Sequence, residues 1–164
     1  MNRMIRRARG ELIVSVQDFI HIPEDGLQKF WDAYQEKPGF YTAPVGKIIE
    51  PLDTPKWDWR VDKNGDIHWQ EWEICFGAAP KQSLIDIGGF DEELDKAWGF
   101  DNVNTAYRAH LAGHPFYCMS DNKSVAIDHD ALMDHPLKQY RDEKLHNERL
   151  DFFAKGGTID YINV

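Results

Sequence analysis

The sequence predicts an α/β protein in which a mixed sheet is flanked by helices. Short apolar runs of strand length alternate with longer segments whose apolar residues recur at helical spacing. The chain has no internal repeat, low-complexity segment or linker, so its 164 residues are expected to form one domain. Helices around Phe30 and Tyr107 are expected to pack on a sheet made of the strands 11–16, 73–76, 115–119 and 124–127.

Composition restricts the classes of partner. The chain has 28 acidic and 19 basic residues and a formal net charge of -9. A nucleic-acid partner is not expected, because phosphate binding needs clustered Lys and Arg, and the only basic cluster runs from Arg3 to Arg9. The mean hydropathy of -0.59 and the lack of a long apolar segment predict a soluble, cytoplasmic protein without a membrane span.

The two cysteines, Cys75 and Cys118, lie in apolar contexts typical of strands and do not show CxxC spacing. Buried free thiols are therefore expected, rather than a disulfide or a zinc site.

The N-terminal third contains a short helix, a strand and an amphipathic helix. A helix closed by Gly10 precedes the strand 11–16. The second helix opens at residues 23–26 and ends at Pro38, after which the segment 40–49 is extended. The apolar stripe of the second helix is expected to lie in the core; it consists of Leu27, Phe30, Trp31 and Tyr34.

Four tryptophans flank the turn signal Lys63-Asn64-Gly65-Asp66, which predicts a hairpin of two short strands. Aromatic rings suit the faces of sugars because they offer flat apolar area with a polar edge. Packing within the hairpin or the core is the simpler explanation of such a cluster. The four are Trp57, Trp59, Trp69 and Trp72.

The most informative stretch runs from Gly88 to Gly113. The strand 73–76 continues into Gly77-Ala78-Ala79, and a short helix over 81–87 ends at Gly88-Gly89. An acidic loop and Trp98-Gly99 follow, and Asp101 or Asn102 is expected to cap a helix that ends at Gly113. A charged helix over 137–153 is expected near the C-terminus.

Two parts of this stretch, GGFDE and WGFDNVNTAYRAHLAG, resemble the C-terminal half of GT-A glycosyltransferases, especially family-2-like enzymes and the C-terminal region of galactosyltransferases. Those enzymes carry GGFDE, then WGxED, then a helix with an Arg and a closing Gly. The resemblance extends over about residues 2–135. It implies a partial GT-A fold and the transfer of a sugar from a nucleotide-diphosphate sugar to a glycan or another hydroxyl acceptor.

The resemblance also implies roles for individual residues. In the family, one carboxylate after Trp-Gly removes the proton of the attacking hydroxyl. Asp101 fills the Glu position of that pair and Asn102 the Asp position, and an amide is a poor proton acceptor near neutral pH. Asp101 is therefore the expected general base. The expected donor- and acceptor-binding residues are Asn102, Trp98, Gly99, Trp57, Trp69 and Gly77, the last in a turn near the donor sugar.

A divalent cation, Mn²⁺ or Mg²⁺, is implied at the donor diphosphate. Family members place an Asp-rich triplet after the strand that follows A-R-G-E, and this chain has Gln17, Asp18 and Phe19 there. Asp18 is then the one carboxylate available, which suits an ion held mainly by phosphate oxygens and water; a polar residue that ends a strand is the alternative. His129 occupies the place of a further family ligand, with His135 as a nearby competitor.

A GT-A domain normally begins with a strand, a turn and a helix that bind the nucleotide, and this sequence resembles the part that follows them. The chain is expected to be the C-terminal two-thirds of such a domain, with the first part supplied upstream or by a partner chain. The alternative function is a non-catalytic carbohydrate-binding or assembly module, in which Gln17 and Asn102 are traces of lost catalysis.

Overall fold

Helices and short strands alternate along the chain, as the sequence predicts. The computed structural model describes residues 1–18, 20–48, 54–96, 100–127 and 142–162. No helix among these residues is long and apolar enough to cross a membrane. The helices are α1 (Asn2–Arg7), α2 (Gly26–Glu36), α3 (Lys81–Asp86), α4 (Asp101–Leu111) and α5 (Glu143–Ala154), with 3-10 turns at Trp59–Asp62, Trp69–Glu71 and Glu92–Lys96. The strands are β1 (Leu12–Val16), β2 (Ile20–His21), β3 (Phe40–Thr42), β4 (Val45–Ile48), β5 (Lys56–Trp57), β6 (Gly65–Asp66), β7 (Phe76–Pro80), β8 (Phe116–Cys118) and β9 (Ser124–Ile127).

The described strands form two mixed sheets flanked by helices, which confirms the predicted fold class. The first sheet has the order β1-β7-β3-β8-β6 and the second β2-β9-β4-β5. Strands β3 and β8 are parallel, as are β4 and β9, and the other pairs are antiparallel.

The expectation that 124–127 joins the same sheet as the other three strands was wrong. Strand β3 continues into β4 across only two residues, and β8 continues into β9 beside it. The two connections are bonded to each other, since Met119 N donates to Thr42 O and Ser124 N donates to Pro44 O, both at 3.0 Å. A parallel pair therefore passes intact from the first sheet into the second.

Core side chains cover both faces of the first sheet, because successive residues of a strand point to opposite sides. On one face Phe40 packs with Leu84 and Ala106, beside α3 and α4. On the other face Tyr41 packs with Phe30 of α2 and with Phe76.

The α2 stripe is only partly buried, in contrast to the prediction. Phe30 is fully buried and Tyr34 packs at the margin of the core, but Leu27 is 51% exposed and Trp31 is 39% exposed. The stripe seen in the sequence is therefore wider than the part of it that is buried, and its outer residues extend into solvent.

The predicted tryptophan hairpin does not form. Strand β5 pairs with β4 in the second sheet, whereas β6 pairs with β8 at the edge of the first. The turn signal is used differently, since Gly65 (φ 90°) begins β6 instead of lying between two paired strands. Trp72 is buried, and its Nε1 donates to Tyr41 O at 2.9 Å.

Both cysteines are free thiols, as predicted. Cys118 is buried in β8, and burial raises the pKa of its thiol to about 11. Cys75 is partly buried just before β7, where burial also raises its thiol pKa.

Gly77 lies inside strand β7, not in the turn that the sequence suggested. It is opposite Ser15 of β1 and Thr42 of β3. A Cβ atom at this position would lie 2.6 Å from Glu73 O and 2.9 Å from Tyr41 O. Both are backbone atoms, Tyr41 O in β3 and Glu73 O in the segment that leads into β7, so relief would require the backbone to move.

We expect Gly77→Ala to lower the free energy of unfolding by about 1–3 kcal/mol, the usual cost of overpacking a core. Urea denaturation followed by tryptophan fluorescence measures it. Gly10→Ala is the matched control, because its added Cβ would meet nothing nearer than Leu12 O at 3.6 Å. Equal stability of the two variants would show that β7 does not approach β3 and its own leading segment as closely as described.

Candidate functional site

Three strands of the first sheet end where β7 begins. Val16, the last residue of β1, is opposite Phe76, and Thr42, the last residue of β3, is opposite Gly77 and beside Cys118, the last residue of β8. We call this border the carboxyl edge. Loops and a helix start that meet here carry polar residues from distant parts of the chain: Asp18, Thr42, Glu73, Asp101 and Asn102. Thr42 and Asn102 are hydrogen-bonded to Glu73, and the charge of Asp101 acts on the Glu73 carboxyl group. Asp18 is placed here by the backbone of its neighbour Gln17.

Asp18 reaches the carboxyl edge because β1 is held to β7 beyond its last residue. Gln17 N donates to Cys75 O at 2.9 Å, so Asp18 comes directly after a residue that is bonded to the segment containing Glu73. The Asp18 side chain is exposed. Among the described residues no group of three or more His, Cys, Asp or Glu side chains has the spacing of a metal site. An ion at Asp18 would take its remaining ligands from phosphate, from water or from residues outside the described part of the chain. The other predicted ligand, His129, lies outside the described residues.

Helix α4 brings Asp101 and Asn102 to the same border. The Asn102 amide Nδ2 donates to Glu73 Oε2 at 2.9 Å and lies 3.4 Å from Trp72 O. Asp101 is half-buried in the first turn of the helix, where the helix dipole favours a carboxylate. Trp98 and Gly99 lie outside the described residues.

The residue before α4 has a left-handed backbone, and it corrects the predicted cap. Phe100, not Asp101 or Asn102, is the N-cap, and at φ 71° it is the one non-glycine residue with positive φ in the part of the chain that the structure describes. Its ring stacks on His146 of α5 with centroids 4.1 Å apart and an angle of 9°. Helix α5 is itself tied to the buried Asp91 by Arg149, whose Nε is 2.6 Å from Asp91 Oδ2. Tertiary contacts thus hold a costly backbone conformation next to Asp101.

Glu73 is a site residue that the sequence did not reveal. Burial raises the pKa of its carboxyl group; the Arg60 guanidinium opposes this shift, and the negative charges of Asp58 and Asp101 add to it. Glu73 stands in an ordinary run before an apolar strand, and its partner Asn102 is 29 residues away. No local motif could have identified the pair.

A buried ion pair lies next to the site and was also missed. Arg60 is 5% exposed and contacts the Asp58 carboxylate through Nε and Nη2. Its Nη1 donates to Thr42 Oγ1 at 2.8 Å, and that hydroxyl donates to Glu73 O at 2.9 Å. The pair therefore connects the end of β3 to the backbone of Glu73.

The two tryptophans predicted to bind the acceptor lie in separate contacts. The Trp69 ring is partly buried against Tyr107 and His110 of α4, at centroid distances of 5.0 and 5.9 Å. Trp57 lies in the second sheet, 36% exposed, with the Lys123 ammonium 5.4 Å from its ring centroid. Their acceptor role, like the donor role of Gly77, remains a prediction.

Solved structures share this fold at low sequence identity. S. aureus TarS 1-349 in complex with UDP-GlcNAc matches with a TM-score of 0.59 and 15% identity, over 77% of this chain and 37% of that chain. The same protein in complex with UDP matches with a TM-score of 0.59 and 14% identity, over 93% of this chain and 48% of that chain. A further S. aureus TarS structure matches with a TM-score of 0.54 and 14% identity, over 99% of this chain and 31% of that chain. No family model matches the sequence, and no curated protein matches it.

TarS is a glycosyltransferase. The present chain has a glycosyltransferase-like fold. It spans less than half the length of the TarS chains that it matches.

We expect Arg60→Met to lower the free energy of unfolding by about 3 kcal/mol, because it leaves the Asp58 carboxylate without its counter-charge. Urea denaturation measures the loss. Lys144→Met is the control, since its partner Glu148 is exposed and such surface pairs contribute less than about 1 kcal/mol. Similar small losses in both variants would mean that the Asp58–Arg60 pair does not stabilise the carboxyl edge.

Proposed function

We propose that this chain is part of a GT-A, family-2-like glycosyltransferase that moves a sugar from a nucleotide-diphosphate sugar to a hydroxyl group of a glycan or another acceptor. The supporting observation is that Asn102 is bonded to Glu73 beside Asp101 at the carboxyl edge, where the backbone also places Asp18, in a sheet with a glycosyltransferase-like fold. UDP-GlcNAc and UDP are bound in the TarS structures, which favours a UDP-sugar as donor.

Asp101 is the proposed proton acceptor for the attacking hydroxyl. It is half-buried in the first turn of α4. The contacts of the neighbouring Phe100 and Asn102 hold that turn in place. A fixed carboxylate that takes a proton in the transition state typically contributes a factor of about 10²–10⁴ in rate.

Asp18, together with His129, is proposed to bind a divalent cation at the donor diphosphate. Such an ion would neutralise charge on the leaving diphosphate. Asp18 has the exposure that this role requires, because a ligand to a substrate-bound ion must face the substrate. The remaining nucleotide contacts are proposed to come from upstream sequence or a partner chain, with residues 1–164 as the C-terminal two-thirds of the domain.

A non-catalytic carbohydrate-binding module is the second candidate. It is favoured by the aromatic surface around Trp69, where His110 is exposed and stacks at 22° to the indole. This module would bind glycans without releasing nucleotide, so a turnover assay separates the two candidates.

We expect Asp101→Asn to reduce kcat by about 10²–10⁴ while donor binding is retained. The assay measures UDP release from UDP-GlcNAc with Mn²⁺ and a panel of simple methyl glycosides, using the complete natural polypeptide that carries residues 1–164 and any partner chain that copurifies. Asp151→Asn is the matched control, because Asp151 lies exposed on α5. Loss of UDP release in both variants, or in neither, would contradict the role of Asp101. Glycan binding without any release by the wild type would instead support the binding module.

A further inference from the structure

Asn102 has both of its amide hydrogens directed at protein oxygens. Its Nδ2 donates to Glu73 Oε2 at 2.9 Å and faces Trp72 O at 3.4 Å. A carboxylate and a backbone carbonyl are acceptors only, so the reverse orientation would place Oδ1 against two other oxygens. These two neighbours therefore fix which way the amide points, and Oδ1 is left directed away from them.

The backbone of Glu73 is held in place by hydrogen bonds, which restricts where its carboxylate can meet the Asn102 amide. The backbone carbonyl of Glu73 accepts a hydrogen bond from Thr42, and Thr42 is bonded to Arg60. Glu73 is partly buried. The charged groups that act on it are Arg60 and Asp58 from the 3-10 segment and Asp101 from α4, with the Cys75 thiol close by in its own segment.

We propose that Glu73 and Asn102 form an acceptor-positioning pair, in which Asn102 Oδ1 accepts a hydrogen bond from a hydroxyl group of the acceptor beside the proton-accepting Asp101. Asn102 is half-buried in the first turn of α4, at the carboxyl edge. The substitution of an amide for a carboxylate is then functional and not a trace of lost catalysis. This inference rests on the proposed function.

The pair requires an ionised Glu73. When Glu73 is protonated, its O–H can donate to the amide oxygen, and Asn102 is then free to turn and present Nδ2 to the acceptor. Burial raises the pKa of Glu73, so acceptor affinity should be complete well above that pKa and fall as the pH decreases through it. A Gln at this position accepts the same hydrogen bond through Oε1 but does not titrate in this range.

The first experiment reads the pair directly, without turnover. The side-chain ¹⁵N–¹H signals of Asn102 are followed between pH 4 and 8 in the natural polypeptide, as wild type and as Glu73→Gln. We expect the chemical shifts of these Asn102 signals to change with pH in the wild type and to stay constant in the variant. Signals that titrate identically in both would overturn the anchoring of Asn102 by Glu73.

The second experiment measures transfer from UDP-GlcNAc to the methyl glycosides named above. Glu73→Leu and Asn102→Ala should each raise the acceptor KM about three- to tenfold, the effect of losing one hydrogen bond, with a smaller change in kcat. Glu73→Gln should rescue the KM and remove its rise at low pH, which a purely structural role would not do. Thermal melts confirm that each variant is folded.

The outcomes separate the two claims. An active wild type whose acceptor KM is unchanged in Glu73→Leu and Asn102→Ala would overturn the positioning pair and leave the glycosyltransferase proposal standing. A folded wild type that releases no UDP with any acceptor would contradict the proposed function, and the acceptor role of Asn102 would fail with it.

Discussion

The site depends on the packing of β7 between β1 and β3. Gly77 allows β7 to approach β3 closely, since any Cβ there would collide with Tyr41 O of β3 and with Glu73 O of the segment that leads into β7. Because β7 is antiparallel to both neighbours, the segment that leads into it lies where they end. This arrangement brings Glu73 beside Thr42 and next to the segment that leads to Asp18. A parallel strand at this position would have carried its leading segment to the opposite border of the sheet.

Acidic side chains collect at the edge of the sheet that this packing creates. Four carboxylates, those of Asp18, Asp58, Glu73 and Asp101, lie at or next to the carboxyl edge, with Arg60 as the buried counter-charge. Each carboxylate has a different environment: Asp18 is exposed, Asp58 is paired, Glu73 is bonded to an amide, and Asp101 lies at a helix start. Groups of one chemical type can therefore serve different tasks, because the protein sets the exposure and the hydrogen-bond partners of each one.

Short-range sequence patterns predicted the features that depend on interactions between residues close together in the chain. The bounds of α2 and α3 and the strand before Asp18 follow from periodicity and from Pro and Gly signals, and the family-like motifs led to Asp101. The features that were missed depend on pairing between distant residues. Residues 124–127 entered the second sheet with β4, Gly77 lay within a strand, and Glu73 met Asn102 across 29 positions. Phe100 replaced the expected cap because stacking on His146 stabilises a backbone conformation that propensity disfavours.

The central claim is that the carboxyl edge binds a nucleotide sugar, and amide chemical-shift perturbation tests it most directly. UDP-GlcNAc is titrated with Mg²⁺ into the ¹⁵N-labelled natural polypeptide. The account predicts shifts at the amides of Gln17, Asp18, Glu73, Asp101 and Asn102, and little change where the strands begin, at Leu12, Phe40 and Phe116. Saturable shifts confined to the strand beginnings, or no shifts at millimolar ligand, would contradict it.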